Sequence, residues 1–189
     1  MIADLVLKNR SYRRFYEDSA ISRETLLELV GLARLSASAA NLQPLKYALS
    51  REPGRNAEIF ATLAWAGYLK DWSGPPEGER PSGYIVILGD TAIARTFGCD
   101  HGIAAQSILL GAVEKGLGGC MIASIRRDDL RRILGIPEKF EILLVIALGK
   151  PKERVVVDPL GAGGDIKYWR DGEGAHHVPK RSLEEIVLD

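Results

Sequence analysis

Lys8, Arg10, Arg13 and Arg14 place four cations within residues 8–14, with no acid among them. Arginine offers paired donors and Ser11 adds a hydroxyl, so Lys8-Asn9-Arg10-Ser11-Tyr12-Arg13-Arg14-Phe15 suits a phosphate. A solvated basic turn is the competing reading. Gly116-Leu117-Gly118-Gly119 is a second candidate. A dinucleotide fingerprint needs a strand before its glycines and a helix after them. Here a helical stretch precedes and the apolar Met121-Ile122-Ala123 follows, which speaks against that fingerprint. Gly116 reads as a helix stop. Gly118 and Gly119 stay open as points of close backbone approach to something flat.

His176 and His177 are adjacent and would face opposite ways in an extended segment, and His101 has no partner at ligand spacing except Asp100. No metal site is expected from them. Cys120 beside Met121 and Ile122 reads as a buried, inert thiol, and no G-x-S-x-G motif is present. Phosphate ligands without an acid, base or nucleophile set imply that a cofactor carries the chemistry.

The elements that must position these residues follow from periodicity and breakers. Ser22 as N-cap, Glu24 in the first turn, and Leu26, Val30 and Ala33 on one face predict a helix. Ser36 to Pro44 reads as a loop and Tyr47-Ala48-Leu49 as a short strand. Ile59, Phe60, Leu63 and Ala66 suggest a second helix, and the Gly- and Pro-rich stretch Ser73 to Gly83 a loop. Tyr84–Leu88 and Ile142–Leu148 read as buried strands. Residues 101–115 form a helix with almost no polar face, hence deeply buried. Asp128 to Leu134 is a shorter helix, stopped by Gly135 and Pro137. Residues 155–189, with Gly161, Gly163, Gly164, Gly172 and Gly174, have little to bury alone and should wrap the body or a second subunit. Helices with scattered strands point to an α+β class rather than a doubly wound parallel sheet.

The 189 residues suit one domain, 1–189, with 155–189 as an extended tail. Lys plus Arg (25) balance Asp plus Glu (25), which argues against a general nucleic-acid binder or a polybasic membrane anchor. Two cysteines without a CxxC exclude a disulfide framework and suggest a reducing, cytoplasmic setting. The N-terminal residues are too charged for a signal-peptide core, and the longest apolar run, Ile142–Leu148, is far short of a membrane span.

Four segments in order resemble the FMN-dependent nitroreductase family. Arg10-Ser11-Tyr12-Arg13-Arg14-Phe15 is similar to its R-S-x-R-x-F. Ser38-Ala39-Ala40-Asn41-Leu42-Gln43-Pro44 is similar to its S-A-x-N-x-Q-P. Gly116-Leu117-Gly118-Gly119-Cys120-Met121-Ile122, then Leu134-Gly135-Ile136-Pro137 and Ala147-Leu148-Gly149-Lys150-Pro151, resemble its G-L-G-x-C-W-I, L-G-I-P and L-G-x-P. Lys180-Arg181 before Leu183-Glu184-Glu185-Ile186 resemble its basic pair before L-E-E-I. Leu45 and Met121 stand where the family often has Trp, and Ser124 and Ile125 where Gly and Phe are common.

The resemblance implies an α+β fold with a central mixed or antiparallel sheet flanked by helices. It also implies a homodimer with FMN at the interface and a C-terminal tail embracing the partner. Arg10 and Ser11 would hold the FMN phosphate and ribityl chain, with Tyr12 in the same set. Arg13 would reach the ribityl chain or the N1/O2 edge, and Lys180 and Arg181 would close the phosphate site. Ser38, Ala39, Asn41 and Gln43 would line the ring from the partner subunit, and backbone at Met121, Ile122 and Ala123 would face N5. The implied activity is hydride transfer from NADH or NADPH through FMN N5 to nitroaromatics, quinones or similar acceptors, by a ping-pong mechanism. Relatives of the fold also act as flavin destructases, dehalogenases or azoline oxidases, and a non-enzymatic flavin-binding dimer is a third reading. Trp65, Tyr68 and Trp72 have no close family counterpart and are expected to pack in the core, or else to cover the substrate face.

Overall fold

Tyr84 to Leu88 is apolar at every position, and a strand with that pattern is buried on both faces. Such a strand stands at the centre of the computed structural model, which describes residues 1–161 and 164–188. Gly163 of the tail and the terminal Asp189 lie outside the described residues. The elements in chain order are α1 (Ile2–Lys8), β1 (Phe15–Tyr16), α2 (Arg23–Leu35), β2 (Leu45–Ser50), α3 (Pro53–Ala61), β3 (Gly83–Asp90), α4 (Asp100–Glu114), β4 (Gly118–Ile122), α5 (Arg127–Leu134), β5 (Phe140–Pro151), β6 (Val155–Pro159), β7 (Trp169–Arg170), β8 (His176–Lys180) and α6 (Leu183–Ile186).

The main sheet is antiparallel, in the order β1-β5-β3-β2, with β4 also paired to β5. Period-two alternation sorts β3 between two cores. Ile85 and Ile87 join Leu26, Leu29, Ala105 and Ile108 of α2 and α4, while Tyr84, Val86 and Leu88 join Ile59, Trp65 and Leu130 on the other face. The expected α+β class, antiparallel main sheet and flanking helices are all present. No helix is long and apolar enough to cross a membrane among the described residues.

Local chemistry sets the boundaries. Ser22 caps α2 as expected, its hydroxyl accepting from Thr25 N at 3.0 Å. Gly135 ends α5 in the left-handed conformation, φ 61°. The helix expected through Ala66 ends instead at Ala61. The Thr62 hydroxyl donates to Ile59 O at 2.7 Å, Leu63 bridges to Ile125, and Ala66 takes a positive φ of 40°. The largely apolar α4 buries Ala104, Ala105, Ile108, Leu109 and Ala112 but leaves Ile103 37% exposed, so burial is one-sided within this chain.

Within the tail, β6 pairs in parallel with β8, and β8 pairs antiparallel with β7. This small sheet docks on its own chain: Tyr168 packs on Tyr68, with ring centroids 5.0 Å apart, and Arg170 lies over the Trp72 ring. After it, α6 buries no residue; its Leu183 and Ile186, and Val187 and Leu188 beyond it, are exposed.

Candidate active site

Residues 9–14 link α1 to β1 and run beside β4. Tyr12 N donates to Gly119 O at 3.0 Å and Ser11 bridges to Gly119. From this run into β1, Arg13 and Phe15 are buried while Arg14 is half-buried and Tyr16 exposed, so alternation turns Arg13 inward. One groove is lined by Asn9, Arg10, Ser11, Arg13, Tyr168, His176, Val178 and Lys180. A second is lined by Arg13, Ala64–Gly67 and Cys120–Ser124. Arg13 is common to both. The two enclose about 630 and about 520 Å³ with their mouths included, room enough for a mononucleotide.

The first groove contains Arg10, Arg13 and Lys180 and no carboxylate. Arg10 spends one nitrogen on Val6 O at 2.8 Å, and its Nε is buried without a partner. That donor set fits a phosphate. The second groove runs along β4, which β5 pairs on one side only. Its other side carries the Ser11 bridge at Gly119 and is otherwise unpaired among the described residues, so backbone at Met121, Ile122 and Ala123 borders open space. Residues, groove and edge together fit the phosphate and flat ring of FMN.

Arg13 is held from several directions. Its backbone N, and that of Arg14 at 3.2 Å, donate to the buried Glu153, whose other oxygen accepts from Arg170 Nη2 at 3.1 Å. Its Nη1 donates to Ser11 O at 3.2 Å and lies 3.1 Å from His176 Nε2, and its guanidinium sits over the Tyr168 ring. Burial and the nearby Arg13, Arg170 and His177 push the His176 pKa down to about 4. Burial pushes the Cys120 thiol up against the opposing pull of Arg13, which keeps it a neutral thiol.

Other sequence candidates lie elsewhere. Ser38 and Gln43 line a third groove with Tyr47 and Asp100. There the Ser38 hydroxyl donates to Asp100 at 2.6 Å, Ala39 N donates to it at 3.0 Å, and Gln43 N donates to Ser38 Oγ at 2.9 Å. Asn41 and Gln43, like Ala40, have positive φ, a strained loop that Asp100 clamps. Tyr12 does not line the basic groove: its ring fills the space beside Gly118 and its hydroxyl donates to Lys8 O at 3.1 Å. Arg181 is exposed and pairs with Glu185. The two glycines left open are explained by packing rather than by a ligand. A Cβ on Gly118 would meet Tyr12 at 2.4 Å, and one on Gly119 would meet Ala147 O at 2.5 Å.

His176 and His177 do face opposite ways on β8. His177 stacks on Trp169 at 4.2 Å, with Nδ1 2.7 Å from Asp158 and Nε2 3.1 Å from Asp171. No group of three or more His, Cys, Asp or Glu side chains among the described residues could hold a metal ion. Of the unmatched aromatics, Trp65 is core and also borders the second groove, whereas Tyr68 is 48% exposed under Tyr168. Sequence reasoning missed Tyr168, His176 and Val178. The usable signal was alternation, since His176, Val178 and Lys180 lie two apart on one strand and all line the groove.

Comparisons with known proteins agree with this geometry. The sequence pattern of the Nitroreductase family matches residues 6–72 and 80–150. A protein of Archaeoglobus fulgidus described as an NADH dehydrogenase/NAD(P)H nitroreductase is 27% identical over 148 residues, 74% of this chain and 80% of that one. An NADPH-flavin oxidoreductase of Vibrio harveyi is 25% identical over 74% of this chain, which spans 55% of that relative. The fold matches a nitroreductase family protein of Streptococcus pneumoniae over 100% of both chains, with a TM-score of 0.73 at 17% identity. It also matches an FMN-dependent nitroreductase of Clostridium difficile, with a TM-score of 0.66 at 23% identity over 82% of this chain and 89% of that one. The chain belongs to the nitroreductase family.

Proposed function

We propose that this chain is an FMN-dependent oxidoreductase that takes electrons from NADH or NADPH and passes them to nitroaromatic, quinone or similar electron-poor acceptors in a ping-pong cycle. The observation that carries the reading is the meeting of Arg10, Ser11, Arg13 and Lys180 at one carboxylate-free groove that opens, through Arg13, onto the free edge of β4. When bound, FMN supplies a two-electron acceptor at N5. Arg10, Ser11 and Lys180 hold its phosphate and ribityl chain, and Arg181 approaches from the adjoining turn. Arg13 would reach the ribityl chain or the N1/O2 edge, where positive charge would favour the anionic reduced form. Backbone at Met121, Ile122 and Ala123 positions the ring without a titrating side chain.

The assembly is a homodimer in which 1–189 acts as one domain. Ser38 and Gln43 line a groove apart from the basic one, and Ala39 and Asn41 share their loop, which supports the four serving the partner's cofactor. Exposed Ile2, Val6 and Leu7 of α1, with Ile103 of the adjoining α4, offer an apolar face, and the exposed α6 offers a second contact for the partner. The two free thiols, Cys99 and Cys120, suit a reducing cytoplasm. Each bound phosphate dianion would make the neutral chain acidic by about two charges.

Fluorescence titration of the purified protein with FMN tests the reading. Quenching that saturates at one FMN per chain is expected. Absence of uptake, with no yellow colour after reconstitution, refutes it.

A further inference from the structure

His176 and Tyr168 lie outside every motif of the family resemblance, yet both line the groove that holds Arg13. His176 is 1% exposed. Its Nε2 faces Arg13 Nη1 at 3.1 Å. A guanidinium has donors only, so Nε2 must accept and the ring proton must sit on Nδ1. That Nδ1 is buried with no partner. The ring is therefore neutral, as expected beside Arg13, Arg170 and His177, with burial opposing its charge. Tyr168 completes the clamp. Its ring lies 5.1 Å from the His176 ring, Arg13 Cζ sits 4.7 Å from its centroid, and its hydroxyl accepts from Tyr68 N at 3.4 Å.

The one buried carboxylate nearby, Glu153, is taken by the backbone N of Arg13 and Arg14 and by the Arg170 side chain. The partners of the Arg13 guanidinium are a carbonyl, a neutral imidazole and an aromatic face. Among the described residues it forms no ion pair, so its charge is oriented but not cancelled. A charge held in place and partly removed from water acts strongly on whatever enters the groove.

We propose that His176 and Tyr168 are positioning residues that hold the Arg13 guanidinium with neutral partners, so that its whole charge favours the anionic two-electron-reduced form of bound flavin. This rests on the FMN reading above. A carboxylate at position 176 would orient Arg13 equally well but cancel its charge, which separates the electrostatic role from a packing role.

The test measures FMN affinity by fluorescence quenching and the bound-flavin midpoint potential against indicator dyes, in wild type, His176→Gln, His176→Glu and Tyr168→Leu. Gln retains an acceptor and should keep affinity and potential within about threefold of wild type in the underlying equilibria. Glu should lower the potential by about 30 mV or more, the equivalent of a tenfold loss of preference for reduced over oxidised flavin. Tyr168→Leu, at a half-buried position, should lower it in the same direction and keeps the test open if Glu disrupts folding. Wild type that binds FMN, with folded Glu or Leu variants at the wild-type potential, overturns the inference alone. A fall in His176→Gln as large as that in His176→Glu also overturns it. Wild type that takes up no FMN overturns the underlying reading and this inference with it.

Discussion

Lys180 and Arg181 are neighbours with different surroundings. Lys180 lines the basic groove with Arg10 and Arg13, whereas Arg181 is exposed and already paired with Glu185. Lys180→Ala should weaken FMN binding by about tenfold or more and Arg181→Ala by clearly less, as read by fluorescence titration. His176 gives a pH signature. Its folded pKa of about 4 lies below the ordinary 6.5, so the unfolded chain binds the extra proton between those values. The stability it contributes is full above pH 6.5 and is lost as the pH falls through that window. His177, held up by Asp171 and Asp158, loses its contribution only as pH rises above 6.5. Glu79, held down to about 2 by Arg14 and Lys152, loses its own only below 4.5. Between pH 6.5 and 4.5, denaturant titrations should show stability falling by up to about 1.4 kcal/mol per pH unit, and His176→Gln should flatten that slope. Arg10, Ser11, Arg13 and Lys180 were legible in the sequence because each carries its chemistry in its type, whereas Tyr12 and Arg181 share their motifs but not the groove. His176 was not, because its role comes from a chain reversal that brings residue 176 against residue 13.

At the scale of elements, the strands and capped helices were legible and the connections were not. Tyr84–Leu88 and Ile142–Leu148 announce themselves by continuous apolarity, and Ser22 and Gly135 mark helix ends by local bonding alone. The end of α3 at Ala61 depends on Leu63 pairing with Ile125, a contact that no local pattern encodes. The strand β4 tolerates only glycine at 119, where a Cβ would meet Ala147 O at 2.5 Å and Leu109 at 2.7 Å. Gly119→Ala should destabilise the protein by about 1–3 kcal/mol, seen as a lower Tm. The loop after α2 depends on Asp100, whose carboxylate accepts from Ser38 and Ala39. Asp100→Ala should leave the strained residues Ala40, Asn41 and Gln43 unclamped. Faster limited proteolysis between residues 38 and 43, with weaker FMN binding in the dimer, is the expected outcome.

At the scale of the whole molecule, the balanced charge hides an uneven distribution. Basic residues near positions 8–14 and at Lys180 are far apart in sequence and meet at one groove. The near-continuous apolarity of residues 101–115 predicted burial on all sides, yet Ile103 is exposed in the single chain beside an exposed apolar face on α1. The second copy of the proposed homodimer would account for that difference. Ile103→Glu should shift sedimentation from dimer to monomer and release FMN, because the loop at 38–43 would no longer reach the partner's cofactor. The groove is proposed to hold a flavin that nicotinamide nucleotides reduce and electron-poor acceptors reoxidise. Anaerobic titration of the FMN-loaded protein follows both half-reactions in the visible spectrum. Loss of the visible flavin band on adding NADH or NADPH, and its return on adding a nitroaromatic or a quinone, is the predicted result. A bound flavin that neither nucleotide bleaches would rule out the proposed oxidoreductase activity.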